Sequence, residues 1–206
     1  MLVDRPDRLL IATTNLNKLE EIRRILGQIA IGLIGLADLA PIPEPEEHGE
    51  TFDENARAKA LYYAAATGET TVAEDSGLEI DALDGAPGVY SARFGLPQAT
   101  TYPDRFALIY RELKARGATT SRARFVCAVA LARNDGVRWE TRGTVEGVIA
   151  PEPRGRGGFG YDPILYYPQL SRTLAELSAE EKARISHRGE AFRALARYLK
   201  ECWPVT

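Results

Sequence analysis

The hydrophobic pattern at the start of the chain predicts a strand, a helix and a second strand. Leu9–Ala12 is a short apolar run that ends in the polar turn Thr13-Thr14-Asn15. From Lys18 to Gly27, apolar residues recur at the spacing of one helical face. The apolar segment Ile29–Leu36 predicts the second strand.

The middle of the chain predicts another helix and two further strands. Thr51-Phe-Asp-Glu54 has the pattern of a capping box, and the helix that it begins extends to about Thr67. Thr71–Ala73 predicts a short strand, with Glu74-Asp75-Ser76-Gly77 at its end. Apolar and polar residues alternate over Leu78–Ala82, as they do in a half-buried strand.

The second half of the chain predicts a helix, a strand pair and helices at the end. The helix covers Tyr102–Arg116, and the strand pair, Arg124–Arg133 and Trp139–Ile149, is joined by the turn Asn134-Asp135-Gly136. The final helices are expected around Ser178–Arg184 and Glu190–Lys200, and Ser178-Ala-Glu-Glu181 has the pattern of a second capping box. This order predicts an α/β fold with a central mixed β-sheet flanked by helices. No linker interrupts residues 1–206, which we therefore expect to form one domain.

Composition narrows the possible functions. The chain has 206 residues, 45% of them hydrophobic, and a net charge of −3, which disfavours nucleic acid as a partner. Its two cysteines, Cys127 and Cys202, are too few for a disulfide framework, and Cys127 is expected to be a buried thiol. The chain shows neither a signal-peptide pattern nor an apolar run long enough to cross a membrane. We therefore expect a cytoplasmic protein that is not bound to a membrane.

The polar turn after the first strand is a candidate phosphate site. A turn at a helix start can direct N–H groups at an anion, and a lysine adds a full charge. A plain helix cap with a solvated lysine remains the alternative, since no GxxxxGK[ST] motif occurs in the chain. The turn comprises Thr13, Thr14, Asn15, Leu16, Asn17 and Lys18.

Acidic residues supply candidate metal ligands. Glu74 and Asp75 are adjacent, and the proline-rich loop before the second helix contains Glu44, Glu46, Glu47 and Glu50. Oxygen ligands without a His/Cys cluster suit Mg²⁺ rather than zinc. An ordinary turn at Asp75-Ser76-Gly77 and a solvated acidic loop are the alternatives.

Three further motifs carry polar groups. Asn55 and Lys59 are four residues apart and share one helix face, where Lys59 is either a phosphate ligand or a surface lysine. Gly155-Arg-Gly157-Gly-Phe-Gly160 matches GxGxxG, but Tyr161-Asp162-Pro163 does not continue into a helix, which disfavours a dinucleotide fold. Ser186-His187-Arg188 begins the last helix and offers either hydrogen-bond donors for a base or a surface pair.

Taken together and in order, these motifs resemble those of the inosine/xanthosine triphosphate pyrophosphatase family over residues 9 to 198. The resemblance implies a two-lobed α/β fold with its active site in the cleft between the lobes. It also implies homodimers, Mg²⁺ as cofactor, and conversion of ITP, dITP or XTP to the monophosphate and pyrophosphate. The motifs are Thr13…Asn15…Lys18-Leu-Glu20, Glu54-Asn55-Ala56…Lys59-Ala60, Asp75-Ser76-Gly77-Leu78, Gly85-Ala-Pro-Gly-Val-Tyr-Ser-Ala-Arg93, Gly157-Gly-Phe-Gly-Tyr-Asp-Pro163 and Lys182…Ser186-His-Arg188.

The resemblance also implies roles for individual residues. Asp75 would be the proton acceptor and, together with Glu47, a metal ligand, although Glu46 and Glu50 are close enough in sequence to replace Glu47. Two positions depart from the family: Thr14 stands where glycine is usual, and Glu74 stands where many bacterial relatives have Asp. The implied substrate contacts are Thr13, Thr14, Asn15, Leu16, Asn17, Lys18, Lys59, Ser76, Phe159, Gly160, Tyr161, Asp162, Lys182, His187 and Arg188.

The implied mechanism is attack of water on the α-phosphorus, with Lys18 and Lys59 neutralising the departing pyrophosphate. His187 and Arg188 would donate hydrogen bonds to the 6-carbonyl of the base, which adenine lacks. Two alternatives remain from the sequence: a purine nucleotide-binding protein without catalysis, and a pyrophosphatase for modified pyrimidine nucleotides.

Overall fold

The computed structural model describes residues 5–203, which form twelve helices and strands besides short 3-10 segments. The mixed sheet has seven strands in the order β2-β1-β3-β4-β5-β6-β7. The strands are β1 (Arg8–Ile11), β2 (Gly32–Gly35), β3 (Thr70–Ile80), β4 (Arg122–Arg133), β5 (Gly136–Ile149), β6 (Leu165–Tyr167) and β7 (Arg172–Thr173). The helices are α1 (Leu16–Leu26), α2 (Phe52–Thr67), α3 (Tyr102–Ala115), α4 (Ala179–Ile185) and α5 (His187–Cys202).

The sheet combines parallel and antiparallel pairs, which confirms the predicted α/β class. β1 lies parallel to both β2 and β3, with Leu10 opposite Ile34 on one side and Thr71 on the other. β6 lies antiparallel to β5 and β7. β4 and β5 are neighbours in the sheet and are joined by the two residues Asn134 and Asp135, as the turn motif predicted.

The acidic motif lies inside a strand, so the prediction that it ends one was wrong. β3 runs without interruption from Thr70 to Ile80 and contains Glu74-Asp75-Ser76-Gly77. Nearly every residue of β3 is buried, so both faces of the strand are covered and neighbouring structure holds the polar residues in extended conformation. The polar sequence Glu74-Asp75-Ser76-Gly77 is typical of a turn, but tertiary contacts hold it in a strand here.

Other boundaries also differ from the sequence predictions. The second strand is only Gly32–Gly35, shorter than the apolar segment around it, and β6 and β7 were not predicted, since each has three residues or fewer. The capping boxes were correct: Thr51 accepts from the backbone N–H of Glu54, and Ser178 accepts from that of Glu181.

The chain divides into two compact units. Unit 1 comprises Met1–Asp75, Cys127–Gly143 and His187–Thr206, and unit 2 comprises Ser76–Val126 and Thr144–Ser186. The unit boundaries fall inside β3, β4 and β5 and at the start of α5, which explains why the sequence has no linker at these positions.

Each unit has its own hydrophobic core. In unit 1, Leu9 and Ile11 of β1 pack with Ile22 of α1 and Phe192 and Leu195 of α5. The core of unit 2 includes Leu78, Ile109, Phe125, Ile164 and Leu174. None of the helices within residues 5–203 is long and apolar enough to span a membrane.

Candidate active site

The polar turn after β1 folds around its own side chains. Asn15 is the N-cap of α1, and its side-chain oxygen accepts from the N–H groups of Asn17 at 3.0 Å and Lys18 at 3.3 Å. The hydroxyl of Thr13 accepts from the N–H of Asn15 at 3.2 Å. These bonds fix the turn in the way an N-cap usually does, and they leave the Lys18 side chain to carry the charge of the motif. Leu16 is largely exposed.

Glu74 forms an ion pair with Lys18. The Nζ of Lys18 lies 2.7 Å from Oε1 of Glu74, whose side chain is 1% exposed. The other carboxylate oxygen, Oε2, accepts from the Sγ of Cys127 at 3.2 Å and faces Nη2 of Arg188 at 3.4 Å. Burial would raise the pKa of Glu74, but the charges of Arg188 and Lys18 outweigh it and hold the pKa well below its usual range.

Asp75 interacts with a different set of residues, because successive side chains of a strand point to opposite faces. Its Oδ2 accepts from Nδ2 of Asn55 at 3.0 Å, and the residue is buried. Burial raises the pKa of Asp75 and the charge of Glu47 raises it further, against the opposing effects of Lys59 and Asn55. This environment suits a carboxylate that accepts a proton.

Lys59 links the acidic loop to β3. Its Nζ lies 2.6 Å from Oε1 of Glu47 and donates to the backbone oxygen of Glu74 at 3.4 Å. Burial would lower the pKa of Lys59, but the hydrogen bond and charge of Glu47 outweigh burial and raise the pKa above its ordinary value. Lys59 is therefore a partly buried cation rather than a solvated surface lysine.

The acidic loop favours Glu47 over its neighbours as a metal ligand. Glu46 is highly exposed and pairs with His48 at 3.1 Å, and Glu50 is exposed as well. The side chain of Glu47 is 23% exposed and contacts Lys59 of α2. Among the three glutamates, Glu47 is the one whose charge acts on Asp75.

Glu47 and Asp75 fit a Mg²⁺ ion. No group of three or more His, Cys, Asp or Glu side chains arranged to hold a metal occurs among residues 5–203. Mg²⁺, however, is commonly bound through one or two carboxylates, with waters and substrate phosphates completing its shell. A divalent cation would also relieve the effects of burial and of the Glu47 charge on Asp75.

In unit 2, the glycine loop Gly155–Gly160 is followed by a short 3-10 turn, as expected, and not by the helix of a dinucleotide site. Asp162 is the centre of this region: its Oδ2 accepts from the N–H of Phe159 at 2.7 Å and lies 2.6 Å from Nζ of Lys182. That Nζ is also 4.6 Å from the centre of the Phe159 ring. Gly158 and Gly160 both have a φ of +66°, a conformation that side chains rarely adopt.

Tyr161 is buried, and its hydroxyl donates to the backbone oxygen of Ser91 at 2.9 Å. Ser91 also packs closely on Gly77 of β3, where an added Cβ would lie 2.3 Å from the Ser91 hydroxyl. Because its side chain is committed to structure, Tyr161 can offer a ligand its backbone rather than its hydroxyl.

His187 and Arg188 begin α5, and both are buried, which excludes the surface-pair alternative. Arg188 is 2% exposed: Nη1 lies 2.7 Å from Oε2 of Glu21, and Nη2 faces Glu74. Both atoms thus face carboxylates of the protein, and a contact of Arg188 with a base stays a prediction. Gly143 of β5 allows the start of α5 to lie close to the strand, since an added Cβ would lie 2.3 Å from the backbone oxygen of His187.

The sequence had offered Glu74 as a candidate metal ligand and Cys127 as a buried thiol, but it assigned neither of them, nor Glu21, the role that each has in this arrangement. For Glu21 there was a signal, since it lies three residues after Lys18 on the same helix. Cys127 was correctly expected to be a buried free thiol, but its hydrogen bond to Glu74 has no signature in sequence.

The fold and the site define an α/β protein in which Lys18 and Lys59 are both bound to Glu74 of β3, next to Asp75. Residues 9–198 match the model of the Ham1 family, and the chain belongs to that family. This confirms the resemblance inferred from the motifs.

Similar proteins cover almost the whole chain. A dITP/XTP pyrophosphatase of an Exiguobacterium species is 47% identical over 188 residues, which are 91% of this chain and 94% of that relative. A dITP/XTP pyrophosphatase of Thermus thermophilus is 47% identical over 194 residues, 94% of this chain and 92% of the relative. The structure of a HAM1 protein from Coxiella burnetii matches with a TM-score of 0.87 and 41% identity, covering 94% of this chain and 98% of that one.

Proposed function

We propose that the chain is a Mg²⁺-dependent pyrophosphohydrolase that converts ITP, dITP and XTP to the monophosphate and pyrophosphate. The observation that carries this proposal is the placement of Lys18 and Lys59 on Glu74, the residue before Asp75 in β3, where the charges of both lysines act on the buried carboxylate of Asp75. Two cations beside a proton-accepting carboxylate suit hydrolysis of a triphosphate. The names of the relatives, dITP/XTP pyrophosphatase, support two of these substrates, dITP and XTP.

In this proposal, Asp75 accepts the proton of the water that attacks the α-phosphorus. Asn55 orients the carboxylate by its hydrogen bond to Oδ2. Glu47 and Asp75 would hold Mg²⁺, which when bound would supply positive charge to offset that of the phosphates. Burial raises the pKa of Asp75 because it disfavours the charged carboxylate, and a bound cation would oppose this effect.

Lys18 and Lys59 stabilise the charge that develops on the departing pyrophosphate. Both side chains are only partly exposed, 19% and 13%, so their charges are less screened than those of surface lysines. When the triphosphate binds, Lys59 is expected to exchange part of its contact with Glu47 for phosphate oxygens. The turn residues Thr13, Thr14, Asn15, Leu16 and Asn17 position the start of α1 for the same phosphates.

The base and the remaining nucleotide contacts are assigned to Ser76 and to the segments 159–162 and 182–188. Phe159 offers an aromatic face for stacking, and Gly160, Tyr161 and Asp162, with Lys182 and Ser76, complete the nucleotide contacts. His187 and Arg188 supply donors for the 6-carbonyl of hypoxanthine or xanthine. An amino group at that position, as in adenine, would leave a buried donor unpaired at a cost of about 1–3 kcal/mol.

We further propose that the enzyme is a homodimer and works in the cytoplasm. Light scattering of the purified protein tests the first statement: a mass near twice 22.7 kDa supports the dimer, and a mass near 22.7 kDa contradicts it.

A substrate comparison tests the proposed activity. ITP, ATP and dTTP are offered at equal concentration with Mg²⁺, and orthophosphate and pyrophosphate are both quantified. Rapid release of pyrophosphate from ITP, with slow reaction of ATP and dTTP, supports the proposal. Equal rates for the three nucleotides, or release of orthophosphate, would overturn it.

A further inference from the structure

The side chain of Glu74 is almost fully enclosed by donors from three elements. Lys18 comes from α1, Cys127 from β4 and Arg188 from α5, and all three lie within unit 1. Glu21 of α1 completes the group by accepting from Arg188 at 2.7 Å. Two carboxylates thus oppose two cations, and the charge of this buried group is balanced without a ligand.

Glu74 contacts both lysines that are proposed to stabilise the departing pyrophosphate. Its carboxylate binds Lys18, and its backbone oxygen accepts from Lys59. Since Asp75 is the next residue of the same strand, the positions of both lysines are set relative to the proton acceptor through one short piece of β3. A lysine side chain has four rotatable bonds, so without this contact Lys18 would have many alternative positions.

Cys127 orients the Glu74 carboxylate, which in turn binds Lys18. The thiol is 0% exposed, and burial raises its pKa well above the ordinary value, with the charge of Glu74 adding to the effect. It is therefore a protonated S–H that donates to Oε2 of Glu74 at 3.2 Å. A thiol that is buried and protonated is poorly suited to redox chemistry, so its role here is that of a hydrogen-bond donor.

We propose that Glu74 and Cys127 are positioning residues of the proposed pyrophosphatase reaction: the carboxylate of Glu74 holds Lys18, its backbone oxygen holds Lys59, and Cys127 holds the carboxylate in the orientation that binds Lys18. This proposal rests on the proposed function. The two adjacent residues then have different roles: Asp75 takes part in the chemistry, and Glu74 positions the cations.

The first variants remove the donor of Cys127. Cys127→Ala removes the S–H, whereas Cys127→Ser keeps a donor of similar size, and Cys202→Ala is the control for loss of a thiol elsewhere. We expect Cys127→Ala to lower kcat for ITP by about 5- to 10-fold with KM changed less than about 2-fold, because an interaction made chiefly in the transition state is weakened. Cys127→Ser should recover most of the loss, and Cys202→Ala should match wild type.

A double-mutant cycle separates positioning from general damage. If Cys127 acts through Glu74 on Lys18, Cys127→Ala should have little further effect on kcat when Lys18 is already Ala. An equal loss in the Lys18→Ala background and in wild type would overturn the proposal, as would full activity of Cys127→Ala.

Glu74→Gln provides a second, independent test. The amide nitrogen of glutamine is a donor, and it would face donors whose hydrogen bonds the carboxylate now accepts. We therefore expect kcat to fall by at least about 50-fold, and a thermal unfolding curve of the same variant shows whether it is folded. A folded Glu74→Gln variant with wild-type kcat would overturn the proposal, and an unfolded one leaves the decision to the Cys127 cycle. If wild type itself fails to release pyrophosphate from ITP, the proposed function is wrong. If wild type is active and these variants match it, only the positioning roles are wrong.

Discussion

At the scale of single residues, the site separates two neighbouring carboxylates by their surroundings. Glu74 is surrounded by donors that stabilise its charge, and its pKa lies well below the usual range because the charges of Arg188 and Lys18 outweigh burial. Burial and the charge of Glu47 raise the pKa of Asp75. Two adjacent acids can thus take different roles because their environments shift their pKa values in opposite directions.

Replacing Asp75 by Asn tests the proton acceptor. The amide keeps the shape but cannot take a proton and is a poor metal ligand, so we expect kcat for ITP to fall by at least about 100-fold. Asp135→Asn, at an exposed turn, is the matched control and should leave kcat unchanged. Activity of Asp75→Asn within a few-fold of wild type would remove Asp75 from the mechanism.

Replacing Arg188 by Ala tests the recognition of the base. Since Arg188 also contacts Glu74, we expect a loss of kcat with every nucleotide. If Arg188 also donates to the 6-carbonyl, the ratio of kcat/KM for ITP to that for ATP should in addition fall about 10-fold, which corresponds to about 1.4 kcal/mol. An unchanged ratio would show that Arg188 only supports Glu74 and that selectivity comes from other residues.

The sequence revealed Asp75 and Lys18 but not the role of Glu74, and the reason is physical. The motif residues are recognisable by type and spacing along the chain. The partners of Glu74 are 53 positions away at Cys127 and 114 positions away at Arg188, so only the folded sheet and helices bring them together.

At the scale of elements, β3 and α2 organise the site. β3 places Glu74 and Asp75 on opposite faces, while α2 brings Asn55 and Lys59 to it from one helix face. The capping boxes predicted for α2 and α4 were correct, because a cap depends on residues three positions apart. The continuous β3 was not predicted, because its acidic centre is stabilised by distant residues rather than by local propensity.

The N-cap of α2 is expected to contribute to stability rather than to chemistry. Thr51→Ala removes the oxygen that accepts from the N–H of Glu54 and should lower the free energy of unfolding by about 1 kcal/mol. Thr51→Ser keeps that oxygen and should be close to wild type. Denaturant unfolding measures both changes. If Thr51→Ala were as stable as wild type, the cap would contribute nothing measurable.

At the scale of the whole molecule, the chain is a member of the Ham1 family that matches its relatives along nearly its full length. The α/β class and the mixed sheet followed from the alternation of strands and helices in sequence, and the structure confirms them. The division into two units did not follow from composition, because its boundaries fall inside strands where no linker marks them.

Metal removal tests the proposed cofactor. EDTA should abolish pyrophosphate release from ITP, and an excess of Mg²⁺ should restore it without zinc, because the candidate ligands Glu47 and Asp75 offer only hard oxygens. Glu47→Gln should raise the Mg²⁺ concentration needed for half-maximal activity, while Glu46→Gln serves as the control. Full activity in EDTA would contradict a metal-dependent reaction.

The most direct test of the account follows the oxygen of the attacking water. ITP is hydrolysed in water enriched in ¹⁸O, and the products are separated and analysed by mass spectrometry. Attack on the α-phosphorus predicts one ¹⁸O atom in inosine monophosphate and none in pyrophosphate. Label in pyrophosphate, or label in orthophosphate released together with inosine diphosphate, would contradict the proposed reaction.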